Sequence, residues 1–206
     1  MPGLLLTLPR PMPPLPPVTQ TLLLANVAIF FLERLLGGGL FTAFALWPIG
    51  TGFWPWQIGT YAFLHGSFEH LFFNMLGLWM FGAELENVWG QKRYLQFYFA
   101  SVFAAALTQL LVNALLGSQV PTVGASGGLF GLLLAFAMLF PNRIILLFFV
   151  IPMKAKYLVL LFGIFELYQG AAVRDSGVAH FAHLGGMLGG LLTLRYWRGQ
   201  SPFGRR

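Results

Sequence analysis

An all-α polytopic membrane protein, with six transmembrane helices and an interfacial membrane-inserted loop between spans 1 and 2, is the fold class this chain predicts. Three observations carry that expectation. The 206 residues are 57% hydrophobic and only 9% charged, whereas a soluble domain carries about 25% charged residues. Mean hydropathy is +0.74, too apolar for an ordinary aqueous surface. The apolar residues also fall into runs of membrane-crossing length, with the basic residues gathered at their ends.

In chain order, the Pro-rich lead 1–17 (Pro9, Pro11, Pro13, Pro14, Pro16, Pro17) reads as a short extended cytoplasmic segment. Met1 to Leu8 is too short, and too soon interrupted by Pro, to be a cleavable signal peptide. The span-bearing domain is 18–197, and 198–206 is a basic cytoplasmic tail. Spans are expected at Val18–Leu36, Ser67–Leu85, Tyr94–Leu116, Ser126 to just before Pro141, Ala155–Ala172 and Val178–Trp197. Gly37 to Gly66 is uncharged and rich in Trp and Pro (Trp47, Pro48, Trp54, Pro55, Trp56), which suits an insertion at the membrane–water interface. Ile144 to Pro152 is apolar but too short to span, and is expected to lie along or dip into the inner surface.

Orientation follows from the basic residues. With the N-terminus inside, Arg10, Lys92, Arg93, Arg143, Lys154, Lys156, Arg195, Arg198, Arg205 and Arg206 are cytoplasmic, and only Arg34 and Arg174 are outside. Ten against two is a positive-inside bias that places both termini in the cytoplasm. The net charge of +6 is thus a topology signal rather than a nucleic-acid patch. The absence of cysteine excludes disulfides, thiol catalysis and Cys-based metal sites.

Polar groups in hydrocarbon-class sequence cost free energy unless they are hydrogen-bonded, and mark function by default. Ser126 sits among Gly124, Gly127, Gly128 and Gly131 at the start of the fourth span. Taken alone, a Ser there reads as an N-cap. The small-xxx-small pair Gly127/Gly131 and the pairs Gly185/Gly189 and Gly186/Gly190 on the sixth span let two helices approach closely. That seam brings His183 beside Ser126, a base within reach of a hydroxyl. His180 is the other candidate base, and His183 is preferred because it adjoins the seam. Asp175 lies in a loop and Glu166 within an apolar span, so a Ser–His dyad is expected rather than a triad. His70 and Asn74 share a helix face at i, i+4. They read either as an interhelical polar clasp or, with the Ser126 backbone N–H, as an oxyanion hole.

Two other chemistries fit less well. Gly124-Ala125-Ser126-Gly127-Gly128 matches the nucleophile elbow of soluble α/β-hydrolases, but the strand–helix alternation that motif requires is missing. The four histidines (His65, His70, His180, His183) lack the His-Glu-x-x-His spacing of a zinc protease, so no metal and no cofactor are expected.

Taken together, these motifs resemble the rhomboid intramembrane serine proteases of the six-span bacterial type. The likeness covers nearly the whole chain after Pro17. It rests on Phe63-Leu64-His65-Gly66-Ser67 leading into His70-Leu71-Phe72-Phe73-Asn74, on Gly124-Ala125-Ser126-Gly127, and on Ala182-His183-Leu184-Gly185-Gly186 with Gly190, in the family's order. The resemblance implies Ser126 as nucleophile, His183 as general base, and His70 and Asn74 in the oxyanion hole. It also implies that the fifth span and the Gly170 to Ala179 loop act as gate and cap, and that Phe130 packs on the base where some relatives carry Tyr. The expected partners are transmembrane-helix protein substrates and the lipid bilayer, without nucleic acid, in a bacterial inner membrane. Regulation by an appended domain is not expected. Two alternatives use the same sequence: a non-catalytic scaffold or chaperone binding client spans, which has no need of Ser126 beside His183, and a channel or transporter, which would show more charged or broken helices.

Overall fold

A computed structural model describes residues 14–147, 150–172 and 179–199. Most of the Pro-rich lead, Arg10, Arg174, Asp175, residues 173–178 of the expected cap and the tail from 200 lie outside the described residues.

Helix α1 (Pro17–Leu36) opens with Pro at its first position, where a missing N–H costs nothing. The amides that follow have no intrahelical acceptor, and a carboxylate from elsewhere in the chain supplies one. Glu86 Oε1 accepts from Val18 N at 2.9 Å, and Glu86 Oε2 accepts from Thr19 N at 2.7 Å and Thr19 Oγ1 at 2.8 Å. The buried stripe Thr19, Leu22, Asn26 and Phe30 has helical spacing, while Leu24, Phe31 and Leu35 are exposed.

The Trp- and Pro-rich segment folds as short turns, α2 (Gly39–Phe44), α3 (Gln57–Thr60) and a 3₁₀ turn at Tyr61–Phe63. Buried Gln57 organises it. Its Oε1 accepts from Trp47 N and Trp54 N, each at 3.2 Å, and its Nε2 donates to Ala43 O at 3.3 Å and Gly52 O at 3.2 Å. A single side chain thereby satisfies backbone groups that no sheet or helix would pair. Leu46 exchanges both backbone hydrogen bonds with Thr122 at 3.0 and 2.9 Å, and Gly124 N donates to Tyr61 O at 2.9 Å. The insertion is thus tied to the strand-like approach to Ser126.

The next helix runs as α4 (Phe68–Gly77), a π turn at Leu78–Gly82 and α5 (Ala83–Trp89). Helix α6 (Gln91–Leu116) is the longest, and α7 (Ser126–Leu139) is short, roughly 21 Å at 1.5 Å per residue. Helices α8 (Ala155–Ala172) and α9 (His180–Trp197) complete the set. Helices α6, α7 and α9 pack most closely on one another. Glycine makes that possible at one point above all. Any Cβ on Gly186 would collide with the Gly127 carbonyl, and one on Gly190 would lie 3.2 Å from Gly131 Cα. Gly185 and Gly189 turn to the other side of α9, against Thr108 and Ala104 of α6.

The all-α expectation needs one correction. Two short strands occur within and beside Ile144 to Pro152: β1 (Ile144–Leu147) pairs antiparallel with β2 (Ile151–Lys154), Ile144 opposite Lys154 and Leu147 opposite Ile151. An apolar run too short for a span satisfies its backbone by pairing with itself.

The exterior differs from that of a water-soluble fold, and several polar side chains are buried with the apolar core. Leu107, Leu111, Leu115, Leu160, Ile164 and Leu167 are exposed, while Asn26, Asn74, Asn113, Glu86, Glu166, His180 and His183 are buried. An apolar exterior of that extent matches lipid rather than water. By length and hydropathy alone, α1 and α6 suffice to cross a membrane, and α7 is apolar but shorter.

Candidate active site

The approach to α7 is shaped by Gly124, whose φ of 125° is a left-handed conformation that side chains disfavour. A Cβ there would also lie 2.6 Å from His70 Nε2, so the bare backbone lets the imidazole come close. Ala125 is the N-cap residue of α7, and it makes no side-chain cap. Ser126 is therefore the first helical residue rather than the cap, which frees its hydroxyl. That hydroxyl lies 2.7 Å from His183 Nε2. The first intrahelical bond of α7 is Leu129 N to Ala125 O at 3.0 Å, so the amides of its opening turn sit at the positive end of the helix dipole.

His183 is held from three sides. Phe130 stacks on its ring with centroids 4.2 Å apart and planes inclined by 3°, as the resemblance implied. Ser126 meets Nε2. On the far edge, Glu166 Oε2 of α8 lies 2.9 Å from His183 Nδ1 and 2.6 Å from His180 Nδ1. The His180 contact is aligned as a hydrogen bond. The His183 contact is not, and Nδ1 is otherwise unsatisfied, so this contact is read as close electrostatic approach. The expectation that no carboxylate reaches His183 is thus corrected. In sequence Glu166 is only an acid in an apolar run, because one helix read alone does not say which neighbour its polar face meets. A lone carboxylate within an apolar helix is the signal that could have found it.

His70 and Asn74 line the same cavity of about 670 Å³ as Ser126, His180 and His183. Ser67 caps α4 by accepting from His70 N at 3.1 Å. Asn74 Nδ2 donates to His70 O at 2.8 Å. Its amide nitrogen is thus engaged with its own helix rather than clasping a neighbour through that bond. The four histidines form two pairs. His65 and His70 meet edge to face at 5.0 Å, and His180 and His183 share Glu166. The ligand atoms of Glu166, His180 and His183 lie within 4.8 Å of one another. By donor type these three could ligate a divalent ion, while the 2.6 Å contact between two of them has a hydrogen-bond length.

Outside the spans, burial first and then the neighbouring His70 push the His65 imidazole down to about 3.

The Rhomboid domain family profile matches residues 53–199. The chain is 39% identical over 134 residues to the mitochondrial Rhomboid protein 1 of Saccharomyces cerevisiae, covering 64% of this chain and 38% of that protein. It is 30% identical over 191 residues to Rhomboid protease GluP of Bacillus subtilis, covering 86% and 34% respectively. With Rhomboid protease GlpG of Klebsiella pneumoniae it shares 28% identity over 181 residues, covering 85% and 61%. The chain therefore spans between about a third and three fifths of the length of these relatives.

Proposed function

Since the chain belongs to the rhomboid family, we propose that it is an intramembrane serine endopeptidase that cleaves single-span membrane proteins near the outer-leaflet end of their helix. The observation that carries this reading is the 2.7 Å contact between Ser126 Oγ and His183 Nε2 inside a cavity also lined by His70 and Asn74. Ser126 attacks the scissile carbonyl as its proton passes to His183 Nε2. The oxyanion is met by the Ser126 amide at the start of α7 and by His70 and, once its amide turns from the His70 carbonyl, Asn74. His183 then protonates the leaving amine, and water deacylates the enzyme. A substrate helix must unwind to present its carbonyl, so small residues at the scissile position with Gly or Pro nearby are favoured.

In this reading the chain crosses the membrane six times, by α1, α4–α5, α6, α7, α8 and α9, with Gly37 to Gly66 at the outer interface. In the same reading, the bias of the basic residues places both termini on the cytoplasmic side of a bacterial inner membrane.

Ser126→Ala is expected to abolish cleavage of a reporter single-span substrate and labelling by a fluorophosphonate, while expression and thermal stability stay at the wild-type level. Equal labelling of the two proteins would remove Ser126 as nucleophile.

A further inference from the structure

Glu166 has a position that packing alone does not account for. Helix α8 presents most of its surface outward, with Tyr157, Leu160, Leu161, Ile164 and Leu167 exposed. Its buried side chains are Ala155, Leu158 and Glu166. The one buried side chain in the second half of this apolar helix is a carboxylate, 5% exposed. An isolated carboxylate at that place would be strongly penalised. Here it is hydrogen-bonded to the His180 imidazole at 2.6 Å and lies 2.9 Å from Nδ1 of His183, the proposed base.

We propose that Glu166 is the positioning residue of His183, completing a line from Glu166 through His183 to Ser126. The inference rests on the reading of Ser126 and His183 as nucleophile and base. A carboxylate at Nδ1 places the proton of the neutral ring on that nitrogen and leaves the Nε2 lone pair toward Ser126 Oγ. When Nε2 takes the hydroxyl proton, the same carboxylate stabilises the imidazolium that forms. The proton stays between Ser126, His183 and the leaving amine, and Glu166 is not consumed. His180 shares the oxygen at 2.6 Å against 2.9 Å for His183. In the resting geometry the two imidazoles therefore compete for one acceptor, and turning Glu166 fully to His183 strengthens the base.

Among the described residues, the titratable groups around His183 are Glu166 of α8, His180 of α9, Ser126 of α7 and, across the cavity, His70 of α4. Removing the negative charge among these should change the pH profile, whereas removing a packing contact should not.

The test compares wild type, Glu166→Gln and Glu166→Asp as full-length protein in liposomes, reading kcat and KM for a reporter single-span substrate from pH 5 to 9. The expected result for Glu166→Gln is a fall in kcat of roughly 10²-fold or more with KM little changed. The acidic limb of kcat should move about one unit toward lower pH, because a nearby opposite charge shifts titration by about that much. Glu166→Asp should recover part of the rate and return the limb toward its wild-type place. An unmoved limb in Glu166→Gln, with kcat either unchanged or falling only in step with thermal stability, would overturn the proposal while leaving Ser126 chemistry intact. If wild type is not labelled by a fluorophosphonate, the protease reading fails, and this inference with it.

Discussion

At the scale of single residues, the proposed reaction depends on atoms whose environments differ sharply within a few ångströms. His183 and His180 sit three apart on α9 and share one carboxylate oxygen, and it is His183 that lies 2.7 Å from the Ser126 hydroxyl. His183→Ala is therefore expected to lower cleavage by about 10²–10⁴-fold, the usual contribution of a general base. His180→Ala should cost far less, because it leaves Glu166 and Ser126 in place. Initial rates of reporter cleavage decide between them, and a deader His180 variant would mean that the wrong imidazole has been assigned. His65 allows a second prediction. It is buried at 1% exposure, and its pKa falls from an ordinary 6.5 to about 3 in the folded protein. The unfolded chain therefore takes up a proton that the folded chain refuses between those values. The stability His65 contributes is present above about pH 6.5 and is lost as pH falls through that window. Thermal unfolding should drop more between pH 7 and 5 in wild type than in His65→Gln, which removes the titration.

At the scale of elements, two devices position α7. Its start is carried by the pairing of Leu46 with Thr122 and by Gly124 under Tyr61, so the interfacial segment and the Ser126 turn are one unit. Its flank is carried by glycine, where the Gly127 carbonyl meets the bare Cα of Gly186. Gly186→Leu is expected to force α7 and α9 apart. Overpacking of this kind costs about 1–3 kcal/mol, and a displacement of about 1 Å at reacting atoms can cost on the order of 10²-fold in rate. The variant should lose both thermal stability and proteolysis, in contrast to Ser126→Ala, which should lose proteolysis alone. Full activity in Gly186→Leu would show that this seam does not set the distance between Ser126 and His183.

At the scale of the whole molecule, the apolar exterior sits in a bilayer in the proposed reading, and the charge bias gives its direction. The chain has no cysteine, so single-cysteine variants report sidedness without background. Gln119, exposed in the loop between α6 and α7, is placed outside by the proposed orientation, and Asn142, exposed before β1, is placed inside. An impermeant thiol reagent applied to intact cells should modify Gln119→Cys, and should reach Asn142→Cys only after permeabilisation. The reverse pattern would invert the topology.

Taken by itself, the sequence determined the apolar class of the chain and the approximate limits of its long helices, and it singled out Ser126, His183, His70 and Asn74 as candidates, which the structure gathers around one cavity. These are legible because hydropathy, helical period and glycine spacing are local properties of a single segment. Three features were decided only by tertiary structure. Glu86 became the N-terminal cap of α1, Gln57 became the knot of the interfacial segment, and Glu166 arrived at His183. Each is a buried polar group satisfied by partners distant in sequence, and which partner it finds depends on the rotation and crossing of helices that no single segment encodes. The hairpin of Ile144 to Lys154 was hidden for a related reason, since an apolar run too short to span has the same composition whether it pairs with itself or lies against lipid.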